Sequence, residues 1–218
     1  MRKIEKKIRR NRPPPLYDLT NLQRDANRRF GSTAAQVLEY AQALYEIHKL
    51  ISYPRTESRH ISEDMVPELP GILEKLDHPQ AAAALERLRG GHRLGKAYVD
   101  QTKLTDHHAI IPTGIIPKSL SGNEQLVYDA VTTQFIAAFY PVCVKKITTV
   151  DGESMEVKFQ AKGTQVIEPG WSALFPKKTK TKGDDETDDE QTLPAFRKGE
   201  EGPHEPGLRE GKTKYTAA

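Results

Sequence analysis

Residues 52–58 read Ser-Tyr-Pro-Arg-Thr-Glu-Ser, and this stretch is the most informative part of the chain. A phenol is a weak nucleophile at neutral pH, and it becomes useful when a neighbouring cation stabilises the phenolate and holds an anionic substrate. Arg55 can supply that cation, because a guanidinium fork matches the oxygens of a phosphate. Pro54 fixes its own φ and favours an extended backbone at Tyr53. The stretch therefore predicts a rigid, strand-like segment that presents a tyrosine beside a phosphate-binding arginine.

Charge is unevenly distributed along the chain. The 218 residues carry a formal net charge of +3, and 36% of them are hydrophobic. Residues 2–12 contain seven basic side chains and one acidic one, whereas residues 184–190 contain six acidic ones. The basic run favours contact with nucleic acid, although a solvated charged strand is an equally ordinary interpretation. The acidic run is typical of a disordered linker.

The sequence lacks the signals of secreted, membrane-bound and nucleotide-binding proteins. Cys143 is the single cysteine, so no internal disulfide can form, and the chain suits a reducing compartment. No apolar run is long enough to cross a bilayer, and the N-terminus has no signal-peptide core. No Gly-rich phosphate-binding loop of the P-loop type is present. We therefore expect a cytoplasmic protein without a membrane partner.

Apolar periodicity predicts an α+β fold class, with a mainly helical region before a small antiparallel β segment. Apolar residues recur at helical spacing over 19–30, and Gly31 is a natural helix stop. Ser32 is a suitable N-cap for the next helix, which is expected to run to about His48. Further helices are expected from Ser62, over 79–88 and over 123–139.

The β segment follows Pro141, where the period of the apolar pattern changes from 3.6 to 2. Asp151-Gly152 is a strong hairpin-turn signal, and Lys162-Gly163 is a second one. The pattern predicts a meander of about three strands over 142–168, which is too thin to be stable alone. We expect an open edge in this sheet, and an open edge favours self-association.

Two further segments extend the interpretation of 52–58. Residues 14–27 read Pro-Pro-Leu-Tyr-Asp-Leu-Thr-Asn-Leu-Gln-Arg-Asp-Ala-Asn, and residues 106–113 read Asp-His-His-Ala-Ile-Ile-Pro-Thr. In this order and spacing, the three segments resemble the type IA DNA topoisomerases, and most closely their bacterial topoisomerase III branch. The resemblance extends from about residue 4 to residue 216, and it implies a winged-helix-like central domain that carries a catalytic tyrosine.

The resemblance also implies a division of the chain. Four parts are expected: a basic extended lead-in (1–12), the helical domain with the catalytic tyrosine (13–140), a β segment that is half of the arch domain (141–175), and an acidic linker with the start of the next domain, expected to be disordered (176–218). Family members open with a domain that holds acidic residues and Mg²⁺, and this chain has no such segment. We therefore expect a fragment that binds no metal and is inactive alone, with Mg²⁺ bound elsewhere in the full-length enzyme.

The resemblance implies that Tyr53 is the nucleophile. In this family the tyrosine attacks one DNA strand, forms a 5′-phosphotyrosine bond and releases a 3′-hydroxyl, and a second strand passes through the gap before resealing. A covalent phosphotyrosine conserves the phosphodiester energy, so the reaction needs no ATP. Arg55 is expected to clamp the scissile phosphate, because in-line displacement demands positioning and charge stabilisation. His107 is expected to bind the phosphate or relay a proton.

Contacts with DNA, mainly single-stranded, are expected at further positions. They are Gln23, Arg24, Asn27, Thr56, Ser58, Arg59, His108 and Thr113. A solvated helix face is an equally open interpretation for the first three, and turn-capping or solvent-facing roles are open for 56, 58 and 59. Glu57 stands where the family usually has aspartate. It keeps the charge, but the extra methylene moves the carboxylate by about an ångström.

Other interpretations remain. The chain can be a non-catalytic helical DNA-binding module whose tyrosine is vestigial. A tyrosine-recombinase-like enzyme is a third class, but it uses several arginines around its tyrosine and makes the opposite, 3′ linkage, and the motif order here argues against it. The pair His107 and His108 does not predict a zinc site, because such sites use more ligands at defined spacing.

Overall fold

The computed structural model describes residues 2–104, 106–154, 156–175, 193, 194, 196–199 and 201. The main elements are β1 (Lys3–Asn11), α1 (Leu19–Phe30), α2 (Ala34–Glu46), α3 (Leu69–Lys75), α4 (Ala81–Arg89), α5 (Gly122–Ala137), β2 (Cys143–Ser154) and β3 (Val157–Glu168). Short 3-10 helices cover Glu63–Glu68, Gln101–Lys103 and Gly170–Leu174. The predicted α+β class, with helices and an antiparallel sheet, is confirmed.

The described residues form two compact units. The larger unit contains residues 10–144 and 167–175, and the smaller one contains residues 2–9, 145–166 and the described residues after 192. The domain boundaries expected from the sequence stay a prediction. The acidic run at 184–190 and most of the expected linker and next domain lie outside the described residues. No helix in the described part of the chain is long and apolar enough to span a bilayer.

Capping residues next to the first two helices determine where these helices begin and where α1 ends. The Asp18 side chain accepts a hydrogen bond from the backbone N–H of Asn21 and caps α1. Gly31, at φ 73°, ends α1 in the left-handed conformation, which confirms the predicted stop. The N-cap of α2 is Thr33 rather than the predicted Ser32, because Thr33 forms a reciprocal capping box with Gln36.

Helix α5 is the centre of the larger unit. Ten of its residues, from Val127 to Ala137, are buried. Its first half packs into one apolar cluster with α1 and α2, and its second half packs into another with α3 and α4. The residues from 130 to 137 are buried on every face, and they include the polar Thr132, Thr133 and Gln134, so this helix has only a weak amphipathic pattern.

The three strands are arranged in the order β1-β2-β3, so β2 is central. The predicted turn at Asp151-Gly152 is wrong, because both residues lie within β2 and the hairpin turn follows Ser154. A Cβ at residue 152 would meet the ring of Phe159 at 2.1 Å, so this glycine makes room for an aromatic side chain on β3. The turn itself contains Glu156 at φ 64°. The predicted turn at 162–163 is also wrong, since both residues lie within β3.

The chain enters and leaves the β2–β3 hairpin at one point. The backbone N–H of Trp171 donates to the carbonyl of Pro141 at 3.0 Å. A Cβ on Gly170 would lie 2.4 Å from the carbonyl oxygen of Val142, so only glycine fits this crossing. The indole N–H of Trp171 also donates to the carbonyl of Asn11 at 3.0 Å.

Candidate active site around Tyr53

The segment before Tyr53 is a helix end held in an unusual conformation. After α2, the backbone N–H of Leu50 donates to the carbonyl of Leu44 at 2.8 Å. Lys49 lies at φ 58°, where glycine is the usual residue at a helix end. The Thr113 hydroxyl donates to the Lys49 carbonyl at 2.7 Å, and the Thr113 N–H donates to Leu50 at 3.0 Å. The turn at Lys49 is therefore fixed from outside the helix.

Ser52 joins the segments 52–58 and 106–113. Its backbone N–H donates to the carbonyl of Ile111 at 2.9 Å. Its hydroxyl donates to the carbonyl of Ala109 and accepts from the Ile111 N–H, both at 3.0 Å. Sequence reasoning gave Ser52 no role, and its only signal was its place directly before Tyr53. These bonds bring two of the three motif segments together.

Exposure alternates along the motif. From residue 53 to residue 58, side chains that are at least partly accessible to solvent alternate with buried ones. Tyr53 is half-buried and Arg55 and Glu57 are exposed, whereas Pro54, Thr56 and Ser58 are buried. The segment is not the strand-like stretch that the Tyr-Pro-Arg pattern predicted, because the backbone bends at positions 52, 54 and 55, but buried and exposed side chains still alternate along it. Tyr53 and Arg55 are thus available to a ligand together.

The hydroxyls of Thr56 and Ser58 are used inside the protein. Each residue is only 3% exposed. The Thr56 hydroxyl donates to the carbonyl of His107 at 3.2 Å and accepts from the Ser58 N–H at 3.0 Å. The Ser58 hydroxyl accepts from the N–H of His60 at 3.2 Å and lies 3.3 Å from the carbonyl of Lys103. The structure therefore does not bring these two predicted DNA contacts to the surface.

Three rings and one ammonium group cluster at Tyr53. The ring centroids of Tyr53 and His107 are 4.2 Å apart, with 40° between the ring planes. Tyr45 meets Tyr53 edge to face at 5.4 Å and 81°. The Nζ of Lys49 lies 5.6 Å from the centroid of the Tyr45 ring. The sequence predicted that His107 acts together with Tyr53, but it gave Tyr45 and Lys49 no role at the site.

The other predicted site residues close to Tyr53 and His107 in the sequence differ in how accessible they are. Arg55 is exposed and forms no ion pair or hydrogen bond with any other residue that the structure describes. His107 is also exposed. His108 is half-buried, and its Nδ1 lies 2.7 Å from the carbonyl oxygen of Ala109, so its ring is held in place by the backbone. The hydroxyl of Thr113 is already bonded to Lys49.

The predicted contacts on α1 are divided between internal and external roles. Gln23 donates through its amide to the carbonyl of Ala34, and Asn27 donates to the carbonyl of Ser32, both at 3.0 Å. These two side chains tie α1 to the start of α2. Arg24 is exposed and has no ion-pair partner among the described residues. Arg24 and Asn27 are exposed, and of these two Arg24 is the one whose side chain is not engaged in a hydrogen bond to the start of α2.

Arg59 connects the motif to the start of α1. Its Nε lies 3.5 Å from the carbonyl oxygen of Leu16 and 3.9 Å from a carboxylate oxygen of Asp18. Burial lowers the pKa of the next residue, His60, and the positive charge of Lys103 lowers it further, so the surroundings favour the neutral imidazole.

A second tyrosine near the motif is unsuitable as a nucleophile. Tyr17 is 4% exposed, and its hydroxyl donates to the carboxylate of Asp25. Burial raises the pKa of Tyr17 well above its usual range, and the hydrogen bond to Asp25 adds to the effect. Its phenol is therefore neutral and inaccessible, in contrast to the half-exposed phenol of Tyr53.

The described residues do not fit a resident metal ion. They contain no group of three or more His, Cys, Asp or Glu side chains that converge as metal ligands. His107 and His108 accordingly have no third ligand within the described ranges, and no reaction step is assigned to a metal in this part of the chain.

Comparison with known proteins identifies the class. The profile of the protein family described as DNA topoisomerase matches residues 1–218. The chain therefore belongs to the DNA topoisomerase family. The resemblance to type IA enzymes of the topoisomerase III branch, first seen in the three motif segments, is confirmed.

Individual relatives are bacterial. The DNA topoisomerase 3 of Bacillus subtilis (strain 168) is 41% identical over 202 residues, and that of Bacillus licheniformis is 40% identical over 200 residues. Each alignment covers 90% of this chain but only 27% of the relative's length. Among solved structures, full-length topoisomerase I from Thermotoga maritima shares the fold, with a TM-score of 0.58 and 18% identity over 87% of this chain and 31% of that one.

Proposed function

We propose that this chain carries the nucleophile of a type IA topoisomerase that cleaves one DNA strand and passes another strand through the break. The observation that carries the proposal is the ring contact between Tyr53 and His107. Tyr53 is half-buried with its ring centroid 4.2 Å from that of His107, and Arg55, two residues further along the chain, is exposed and has no ion-pair partner among the described residues. A phenol, an acid–base group and a phosphate-binding cation are the parts that phosphoryl transfer to tyrosine needs.

In the proposed reaction, the phenol oxygen of Tyr53 attacks a backbone phosphorus and the bond from phosphorus to the 3′-oxygen breaks. The products are a 5′-phosphotyrosine and a free 3′-hydroxyl. The phenol loses one proton and the leaving oxygen gains one, and His107 is the group placed to relay it. Attack by the 3′-hydroxyl reverses the step after strand passage, so the energy of the phosphodiester bond is retained.

The remaining predicted residues divide by their accessibility. Arg55 clamps the scissile phosphate, and Arg24 contacts the DNA backbone. The buried hydroxyls at 56 and 58 shape the loop rather than touch DNA. Gln23 and Asn27 fix α1 against α2, and Arg59, His108 and Thr113 hold the motif segments in place while lining the DNA path.

The proposed ligand is DNA, mainly single-stranded, in the cytoplasm, where bacterial DNA lies. Binding is expected to weaken with salt, because phosphate contacts release counterions. Mg²⁺ is proposed as a cofactor of the full-length enzyme, and no Mg²⁺ site is proposed within this chain. We also propose self-association through β3, an edge strand with exposed Val157 and Phe159. Sedimentation of the chain at rising concentration tests the last point.

The decisive experiment uses a chimera in which this chain replaces the matching 27% of Bacillus subtilis DNA topoisomerase 3. With Mg²⁺ and underwound plasmid, the chimera should relax the plasmid and form a covalent adduct with the 5′ end of the break. Tyr53→Phe removes only the attacking oxygen, so relaxation and adduct should both disappear while DNA binding remains. An adduct that survives in Tyr53→Phe would place the nucleophile elsewhere.

Two substitutions test the partners of Tyr53 in the same chimera. Arg55→Ala should slow cleavage by ~10²–10³-fold, because it removes one electrostatic contact to a developing charge. His107→Ala should have a smaller effect, at or below the ~10²–10⁴-fold range of proton transfer. Arg89→Ala, which removes an exposed arginine paired with Glu74, is the matched control and should change cleavage little. DNA binding by a folded wild-type chimera without any adduct would favour the non-catalytic DNA-binding module instead.

A further inference from the structure

The ring of Tyr53 touches a second ring that has no part in the chemistry proposed above. Tyr45 approaches it edge to face, with centroids 5.4 Å apart and 81° between the planes. This geometry is favoured because the positive edge of one ring meets the negative face of another. Tyr53 is therefore held between His107 and Tyr45, and Tyr45 can restrict which rotamers the half-buried Tyr53 adopts.

Tyr45 is in turn held by Lys49. The Nζ of Lys49 lies 5.6 Å from the centroid of the Tyr45 ring, within the range of a cation–π contact. The backbone of Lys49 occupies φ 58°, a conformation that is strained for lysine and free for glycine. The turn needs only this backbone shape, which glycine would supply at lower cost. The lysine side chain accordingly has a purpose beyond ending α2.

We infer that Tyr45 and Lys49 are positioning residues, which hold the phenol of Tyr53 in the orientation needed for attack on phosphorus. The inference rests on the proposed role of Tyr53 as the nucleophile. Lys49 fixes the Tyr45 ring from its face, and the T-shaped contact between Tyr45 and Tyr53 fixes the Tyr53 ring. Displacing a nucleophile by about an ångström can cost ~10²-fold in rate, so small losses of ring order have large kinetic effects.

The first test uses the 218-residue chain with ¹³C-labelled tyrosine rings, in which the signals of Tyr53 are assigned by their loss in Tyr53→Phe. Ring currents from Tyr45 and His107 displace these signals in the wild type. Tyr45→Leu should move them toward the values of an exposed tyrosine, and Tyr45→Phe should leave them in place. Tyr40→Leu is the matched control, because Tyr40 also lies on α2 but bonds to Asn123 instead.

The second test measures single-turnover DNA cleavage and DNA affinity in the chimera described above. Tyr45→Leu should slow cleavage by ~10–10²-fold with affinity unchanged, and Tyr45→Phe should restore the rate. Lys49→Gly should slow cleavage by several-fold while thermal stability is equal or higher, because glycine suits φ 58°. Lys49→Arg keeps the cation and should keep the rate.

The outcomes separate this inference from the proposed function. Unchanged Tyr53 signals in Tyr45→Leu, or wild-type cleavage by both Tyr45→Leu and Lys49→Gly, would overturn the positioning role alone. A wild-type chimera that is folded but forms no adduct would overturn the role of Tyr53, and the positioning role with it.

Discussion

The irregular segment 50–61 and the hairpin formed by β2 and β3 differ in both regularity and burial. The segment contains no helix or strand, yet Leu50, Ile51 and Ile61 are at most 1% exposed. Strand β3 is regular along its twelve residues, yet only Gly163 and Thr164 are buried in it. Regular hydrogen bonding therefore does not mark the best-fixed part of this protein. Core packing and bonds from side-chain hydroxyls to the backbone fix the segment that carries Tyr53.

The largest expected effect compares one isoleucine from each region. Ile61→Ala should lower the free energy of unfolding by about 2–5 kcal/mol, because it leaves a cavity at a position with 0% exposure. Ile167→Ala, on β3 at 49% exposure, should change it by about 0.5 kcal/mol or less. Urea unfolding followed by circular dichroism measures both. Equal losses would contradict the contrast between the two regions.

The next largest effect is expected at Thr56, whose buried hydroxyl bonds to two backbone groups. Thr56→Val should cost about 1–3 kcal/mol, because the Ser58 N–H and the His107 carbonyl lose their partner. Thr56→Ser keeps the hydroxyl and is the control. If the valine and serine variants unfold at the same urea concentration, the segment does not depend on these bonds.

A pH titration tests the support of the irregular segment through Tyr98, whose carbonyl accepts from the Ile61 N–H and whose hydroxyl donates to the carbonyl of Pro13, both at 2.8 Å. Burial raises the pKa of Tyr98 to about 12, above the value of about 10 in an unfolded chain. The folded state therefore holds this proton more tightly, so the contribution is complete below pH 10 and is lost as pH rises from 10 to 12. Stability of Tyr98→Phe should fall less steeply over that range. Parallel curves for the two proteins would argue against the shift.

The smallest effect concerns a cross-strand pair in the hairpin. The Gln160 amide donates to a carboxylate oxygen of Asp151 at 2.8 Å, at an exposed position. Gln160→Ala should lower the free energy of unfolding by about 0.2–1 kcal/mol. A loss as large as that of Ile61→Ala would show that the hairpin, and not the irregular segment, limits stability.

The helices were predictable because their signals are local. Gly31 ends α1 at φ 73°, and the capping residues before α1 and α2 lie next to the helices they cap. The predicted end near His48 is close to the observed end at Glu46. These features depend on neighbours within four residues, which a sequence pattern contains.

The strands were less predictable because the residues that determine their position and pairing are distant in the sequence. Gly152 signals a turn by its local sequence, but it lies within β2, where the ring of Phe159 on the next strand packs over it. Residues 3–11 are too charged to show an apolar alternation, and they form a strand by pairing with β2. Their partner lies more than a hundred residues away, so no local pattern indicates the register.

The candidate site shows the same limit. The roles of Tyr53, Arg55 and His107 stay predictions from the resemblance, and the structure adds the ring contact between Tyr53 and His107. It did not indicate Ser52, whose hydroxyl links two distant segments, or Lys49, whose φ is visible only in three dimensions. Hydroxyls are ambiguous in sequence, since a buried bond and a phosphate contact use the same residue types.

Because of the close contact at Gly170, the chain enters and leaves the β2–β3 hairpin at the same point. The two ends of the hairpin already meet at Pro141 and Trp171, so a longer or shorter tip changes only the loop between fixed ends. The entropy of closing a loop grows slowly with its length, by about 0.6 kcal/mol for each doubling. We expect insertions at the tip to be tolerated. The length of the hairpin can then change without any change in the geometry around Tyr53.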